Sequence, residues 1–263
     1  MGKYLKQFDT HQQYEAYTAD TENFILPNVS YCIDTPNEVH YNPYVEPIDP
    51  CASEIVQTSY EWVEIGGIKW ATKNVGALTV TDYGQKFSWG GTNGYTNDQV
   101  SGDCHSKAFS WTDYEFGNGT SSPGDTGMSK YNATDGKTVL DAEDDAATVN
   151  MGSGWRMPTT AEFQALGTAT TSAWTSSYEG SGVAGLVLTS KADSNVKLFF
   201  PAAGYCYDGS VGNVGSYGSY WSRSLFTSVR RNAYLMVFLS SSVYWDSCYN
   251  RCRGCSVRGV LDE

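Results

Sequence analysis

Histidine is almost absent from this chain of 263 residues, with only His11, His40 and His105 present. Two of them fall within the first 57 residues, and none accompanies a serine or cysteine in a hydrolase-like motif. A nucleophile–base mechanism therefore lacks its usual base, and an enzyme is not expected. Long apolar runs are missing too. No stretch approaches 18 consecutive apolar residues, which excludes a transmembrane helix. The opening MGKYLKQFDTHQQYEAY holds no apolar core of the kind a secretory signal needs. A chain of this kind is expected to reach the cell exterior on a larger assembly or by lysis. Positive charge is the scarcer sign, with 17 Lys and Arg against 29 Asp and Glu. The net charge of −12 makes general binding of nucleic acid or an anionic membrane unfavourable, so neither is expected as a partner.

Proline is scarce, and five of the eight prolines (Pro27, Pro36, Pro43, Pro47 and Pro50) crowd into one stretch. Extended or turn structure is expected there, with a short helix over 4–17 and strand character at 24–33 and 38–41. Residues 1–57 are read as an attachment or oligomerisation segment, and residues 58–263 as the globular domain. Hydrophobic residues make up 40% of the chain, enough for a real core. Twenty-seven glycines, 19 tyrosines and 8 tryptophans favour a loop-rich α+β protein.

The seven cysteines cannot close into a complete set of internal disulfides. Cys248, Cys252 and Cys255 have a spacing met in zinc and iron–sulfur sites, but no fourth ligand is obvious and the three histidines are distant in sequence. The acidic run Asp141, Glu143, Asp144 and Asp145 lacks the glycine-bearing spacing of a calcium loop and reads as a solvated helix start. No metal and no cofactor is expected.

Gly66-Gly67 lies between two short apolar runs and signals a two-residue hairpin. A strand is expected over 83–89, an irregular excursion over 92–137 and a helix over 139–150. Thr159 and Glu162 have capping-box spacing ahead of Phe163 and Leu166, so a helix is expected from about Pro158. Further short strands are read at 185–188, 197–201, 220–224, 233–239 and 256–260. Trp155, Met157, Phe163, Leu166, Phe199, Phe200, Trp221, Leu235, Val237, Phe238, Val243, Trp245 and Val257 form the candidate core.

Taken in order, WVEIGGIKWATKNVG, FSWGG, DAEDDAATVNMGSGWRMPTTAEFQAL, FFPAAGY, GSYGSYWSRS and RGCSVRGV resemble one family. It is the C-type-lectin-like domain of many Bacteroidetes proteins, the Fibrobacter succinogenes major paralogous type, a cousin of the formylglycine-generating-enzyme fold. The resemblance covers roughly residues 60–260 and implies an α+β fold with a small twisted antiparallel sheet, about two helices and long loops. The Glu-Pro-Asn, Gln-Pro-Asp and Trp-Asn-Asp triplets of calcium-dependent sugar binding are absent.

Residues 204–258 also resemble the variable region of a diversity-generating retroelement target protein. In such proteins adenine-directed rewriting turns Asn codons into Tyr, Ser, Asp, Cys, Arg and others. Residues 204–255 hold seven Tyr, ten Ser and four Cys, with five Arg and no Lys against two acidic residues. The resemblance implies a ligand-binding face at Cys206, Tyr207, Asp208, Tyr217, Ser219, Phe226, Arg231, Tyr234, Met236, Tyr244, Asp246, Ser247, Cys248, Tyr249, Cys252, Arg253 and Cys255. Tyrosine and serine are what adaptable binding surfaces use. Arg223, Arg251 and Arg258 are read as structural, paired with carboxylates at the core edge, and Arg230, Arg231 and Arg253 as exposed.

The leader, YLKQFDTHQQYEAY followed by ILPNVSYCIDTPNEVHYNP, resembles structural proteins of gut bacteriophages and prophages. That implies a virion protein of a tail or fibre, assembled in the bacterial cytoplasm. Its partners would be other virion proteins, through residues 1–57, and a protein or glycan on the host surface, with a homo-trimer as the implied assembly. Two other classes stay open: a structural or decoration subunit without a diversified face, and a copper-dependent oxidase of the formylglycine-generating kind using Cys248 with Cys252 or Cys255.

Overall fold

The computed structural model describes residues 60–101, 106–121 and 123–262. The chain divides into two units, Met1–Glu54 and Ile55–Glu263. The elements expected within the first 57 residues lie outside the described residues.

The domain is α+β, with a few helices and several small antiparallel sheets in place of the single sheet expected. Strands β1 (Trp62–Ile65) and β2 (Ile68–Ala71) form the hairpin expected at Gly66-Gly67. Both glycines have positive φ, 64° and 76°, as a tight two-residue turn requires. The sheet is completed by β3 (Trp155–Arg156) and β12 (Val260–Leu261), in the order β1-β2-β12-β3. A second sheet joins β4 (Thr170–Thr175), β5 (Gly185–Ser190) and β6 (Lys197–Pro201). A third has the order β11-β10-β9, from β9 (Tyr217–Leu225), β10 (Asn232–Leu239) and β11 (Ser242–Asn250). A fourth is the hairpin of β7 (Tyr205–Tyr207) and β8 (Ser210–Gly212).

Helix α1 (Asn97–Ser101) interrupts the long irregular excursion. The helix expected over 139–150 is broken. A 3-10 turn at Ala142–Asp144 precedes α2 (Ala146–Met151), because the buried Asp145 carboxylate caps Ala147 N and Thr148 N and restarts the helix there. It also accepts from Met157 N and faces Arg223 at 3.6 Å, so the solvated acidic start expected here is a buried cap instead. Helix α3 (Thr160–Ala169) begins with the expected box. Thr159 Oγ1 accepts from Glu162 N, and Glu162 Oε2 accepts from Thr159 N at 2.7 Å. The strand expected over 83–89 contracts to single bridges, Lys86 to Tyr95 and Phe87 to Cys255, because neighbouring residues pair with different segments. Of the strand expected over 256–260, only Val260 lies in a ladder. Among the described residues no helix is long and apolar enough to cross a membrane.

Two apolar cores lie on either side of β10. Ala233, Leu235 and Val237 join Trp89, Trp221 and Val257 in one, whereas Met236 and Phe238 join Trp70, Phe163 and Phe200 in the other. A strand covered on both faces needs no polar alternation, which is why the run AYLMVF shows none. The candidate core residues are buried as expected, except that Val243 and Trp245 are only partly covered. Where β9 shifts register against β10, its freed backbone is taken up elsewhere. Leu140 N donates to Arg223 O, Leu225 N to Thr138 O, and Trp89 Nε1 to Ser222 O.

Candidate binding surface

The strand period sorts the short β7 strand first. Tyr205 and Tyr207 face outward, and Cys206 between them is fully buried with Val100 and Phe109. The Asp208-Gly209 turn, both residues at positive φ, closes β7 onto β8. An antiparallel bridge from Cys206 to Gly254 then sets β7 beside the last loop. A Cβ at residue 254 would lie 2.8 Å from the Phe109 ring and 2.9 Å from Cys206, so this approach requires glycine. Arg253, next in line, is carried over the outward tyrosines. Its guanidinium carbon lies 4.7 Å from the Tyr249 ring centre, 4.8 Å from Tyr207 and 5.3 Å from Tyr205. Tyr217 and Tyr249 hydrogen-bond through their hydroxyls, and Tyr205 packs edge-on against both. Three of these rings also rest on the first core. The result is a braced aromatic patch centred on one arginine.

Of the seventeen residues implied as a binding face, Tyr207, Asp208, Arg231, Tyr244 and Asp246 are exposed. Tyr217, Phe226, Tyr234, Ser247, Cys248, Tyr249 and Arg253 are half-buried. The other five are corrected, because all are fully or almost fully removed from solvent. Cys206 faces inward by strand alternation. Ser219 donates to Gly204 O at 2.9 Å. Met236 belongs to the second core, Cys252 packs with Trp111, Tyr114 and Met128, and Cys255 lies in the first core. Burial pushes the Cys252 and Cys255 thiols up to about 12, which leaves them poor nucleophiles at neutral pH. The structure brings together Tyr207, Tyr217, Tyr249 and Arg253. Phe226 and Tyr234 form a separate edge-to-face pair, and Asp246 accepts from Gln164 on α3. Tyr205 was missed by sequence reasoning, although its i, i+2 relation to Tyr207 places both on one face of an extended strand.

Of the three arginines read as structural, Arg251 and Arg258 are buried and Arg223 is half-buried, but their partners are not those expected. Only Arg223 approaches a carboxylate, Asp145. Arg251 is enclosed by Trp89, Tyr114 and Tyr131 and donates to Tyr114 Oη and to the carbonyls of Lys130, Tyr131 and Arg230. Arg258 donates to Asn74 Oδ1 and to the carbonyls of Ala71, Thr72 and Phe199. Arg230, expected to be exposed, is half-buried and donates to Asn132 O. The acidic group Asp141, Glu143 and Asp144 is met by lysine: Lys130 pairs with Glu143 and Asp144, and Lys137 with Asp141.

Lys86 lies fully buried, donating to Ser256 Oγ at 3.0 Å beside the Cys206 and Cys255 thiols. Burial pulls its amine down to about 8, and the two thiols offset part of that shift. Burial pushes Cys206 up to about 11. From about pH 8 upward the folded chain has released the Lys86 proton that the unfolded chain still holds, which raises stability with pH. The Cys206, Cys252 and Cys255 thiols oppose this, because they ionise toward pH 9 and above in the unfolded chain while the folded ones do not. In urea denaturation, Lys86→Met should therefore lose about 1 kcal/mol more stability than the parent chain between pH 8 and pH 9, the linkage slope for one proton. The same pH dependence in both chains would assign the effect to another group.

A cleft of about 290 Å³ between Trp174, Trp245 and Ser240–Ser242 contains no residue of the tyrosine patch. Fold and surface together define a class: an α+β domain presenting a tyrosine-rich, arginine-centred patch beside a sheet whose central strand is buried on both faces. No protein-family model matches the chain, and no curated protein and no solved structure matches it either.

Proposed function

We propose that this chain is a non-enzymatic binding protein with a C-type-lectin-like fold, displayed on a phage tail or fibre for attachment to a host surface. Its C-terminal face is diversified by a retroelement. Residues 1–57 attach it to other virion proteins, as one subunit of a trimer. One observation carries this reading: in the two short segments 205–207 and 252–254, tyrosines and an arginine lie toward solvent while their chain neighbours Cys206, Cys252 and Gly254 are buried in a braced scaffold. Such a division lets surface residues change without unfolding the domain.

The test is to sequence many copies of the gene and its flanking DNA from one population. Substitutions should accumulate at Tyr207, Asp208, Phe226, Arg231, Tyr234, Tyr244, Asp246, Ser247, Tyr249 and Arg253, opposite adenines of a neighbouring repeat. Cys206, Ser219, Met236, Cys252 and Cys255 should stay fixed, because each is buried. A uniform segment without any repeat would overturn diversification and favour a structural or decoration subunit.

A further inference from the structure

We propose that Arg253 is the seat of a carboxylate: the patch receives one Asp or Glu side chain of a protein partner, gripped by the guanidinium and flanked by the Tyr205 and Tyr207 hydroxyls. This rests on the reading of the tyrosine patch as a binding surface and names what it binds. The three arginines near the end of the chain differ sharply. Arg251 and Arg258 are fully buried, and each donates to several acceptors. Arg253 is half-exposed and is held by ring contacts to Tyr205, Tyr207 and Tyr249. Among the described residues none accepts a hydrogen bond from its guanidinium, and none pairs with it as a carboxylate.

Ring stacking fixes the group in place and uses none of its five N–H donors. A planar fork of that kind matches a carboxylate bidentately, and its immobilisation is already complete before binding. The hydroxyls of Tyr217 and Tyr249 are engaged with each other. Those of Tyr205 and Tyr207 have no partner among the described residues and remain as further donors. The seat takes a single negative charge. Asp208 stands next to Tyr207, and the whole chain carries −12, so a polyanion would be repelled outside this one position. Tyrosine and arginine together are the composition of protein–protein hot spots, which favours an acidic side chain on a folded partner over an acidic saccharide.

The full chain, labelled with ¹⁵N, is titrated while the Arg253 Nε–Hε resonance is followed by NMR. The probes are a capped Gly-Gly-Asp-Gly-Gly peptide, its Asn counterpart and trigalacturonate. The Asp peptide should give a saturable shift, with the Asn peptide at least about tenfold weaker, since it lacks the charge. Arg253→Lys keeps the charge but loses the fork, and should weaken the Asp peptide about tenfold in a chain that stays folded at the titration temperature. Equal response to the Asp and Asn peptides, or no saturable shift, would overturn the proposal. So would trigalacturonate binding more than tenfold tighter than the Asp peptide, which would assign the seat to an acidic sugar. If the peptide fails while gene copies vary at the exposed positions, the surface reading stands and the carboxylate seat alone falls.

Discussion

Replacing Arg258 by methionine should destabilise the domain by roughly 3 kcal/mol, although the two side chains are similar in length. The guanidinium carries five hydrogen bonds of 2.7–3.0 Å, to Asn74 Oδ1 twice and to the carbonyls of Ala71, Thr72 and Phe199. It also lies 4.5 Å from the Phe200 ring centre. Burial pulls its pKa down to about 10, so the fold bears a real cost for holding the charge. Methionine removes that cost but leaves four acceptors without a donor, and each buried orphan costs about 1–3 kcal/mol. The orphans outweigh the recovered desolvation. For a domain of this size the loss corresponds to a fall of roughly 6–12 °C in melting temperature. Urea denaturation should show a lower midpoint with an unchanged slope. A loss below about 1 kcal/mol would show that water takes over the guanidinium's bonds.

Trp221→Ala should cost about 3–5 kcal/mol. Its ring is fully buried in the first core, and its Nε1 donates to Phe87 O at 2.8 Å, tying β9 to a segment 134 residues earlier in the chain. Truncation leaves a cavity and removes one of the two hydrogen bonds that Phe87 O accepts, the other coming from Cys255 N. Tyr244→Ala, at a site 54% exposed, should change stability by no more than about 0.5 kcal/mol. Tyr249→Ala should fall between the two, at about 1–2 kcal/mol, because its ring rests on the core and its hydroxyl holds Tyr217. Equal losses at Trp221 and Tyr244 would remove the distinction between scaffold and surface on which the binding reading depends.

Local signals predicted the elements that depend on local chemistry. The Gly66-Gly67 turn needs only two permissive residues, and the start of α3 needs only Thr159 and Glu162. Strand β6 is legible at both of its ends because an apolar run stops at a proline. Elements that depend on distant partners were less visible. Strand β11 turns out of β10 through Ser240-Ser241, which carries no glycine or asparagine signal, and its half-buried face shows no alternation. The four cysteines of residues 204–255 looked like surface variation by composition. Three of them are buried, because a lone thiol packs as a small apolar group wherever a core has room for it. The patch itself was half legible. Tyr207, Tyr217, Tyr249 and Arg253 were singled out by residue type, but their gathering around Arg253 is made by the Cys206–Gly254 bridge, a contact across 48 residues that no local pattern encodes.

Strand β12 lies inside its sheet, between β2 and β3, although it follows every residue of the patch in sequence. The amino-terminal hairpin of the domain waits, during synthesis, for the strand that joins it to β3. Val260 and Leu261 supply that strand only if the ribosome has read residues 204–255 without losing frame or meeting a stop codon. Closure of this sheet thus depends on translation in frame through the patch. Whatever side chains the face displays, a chain with a broken reading frame cannot complete the scaffold that would present them.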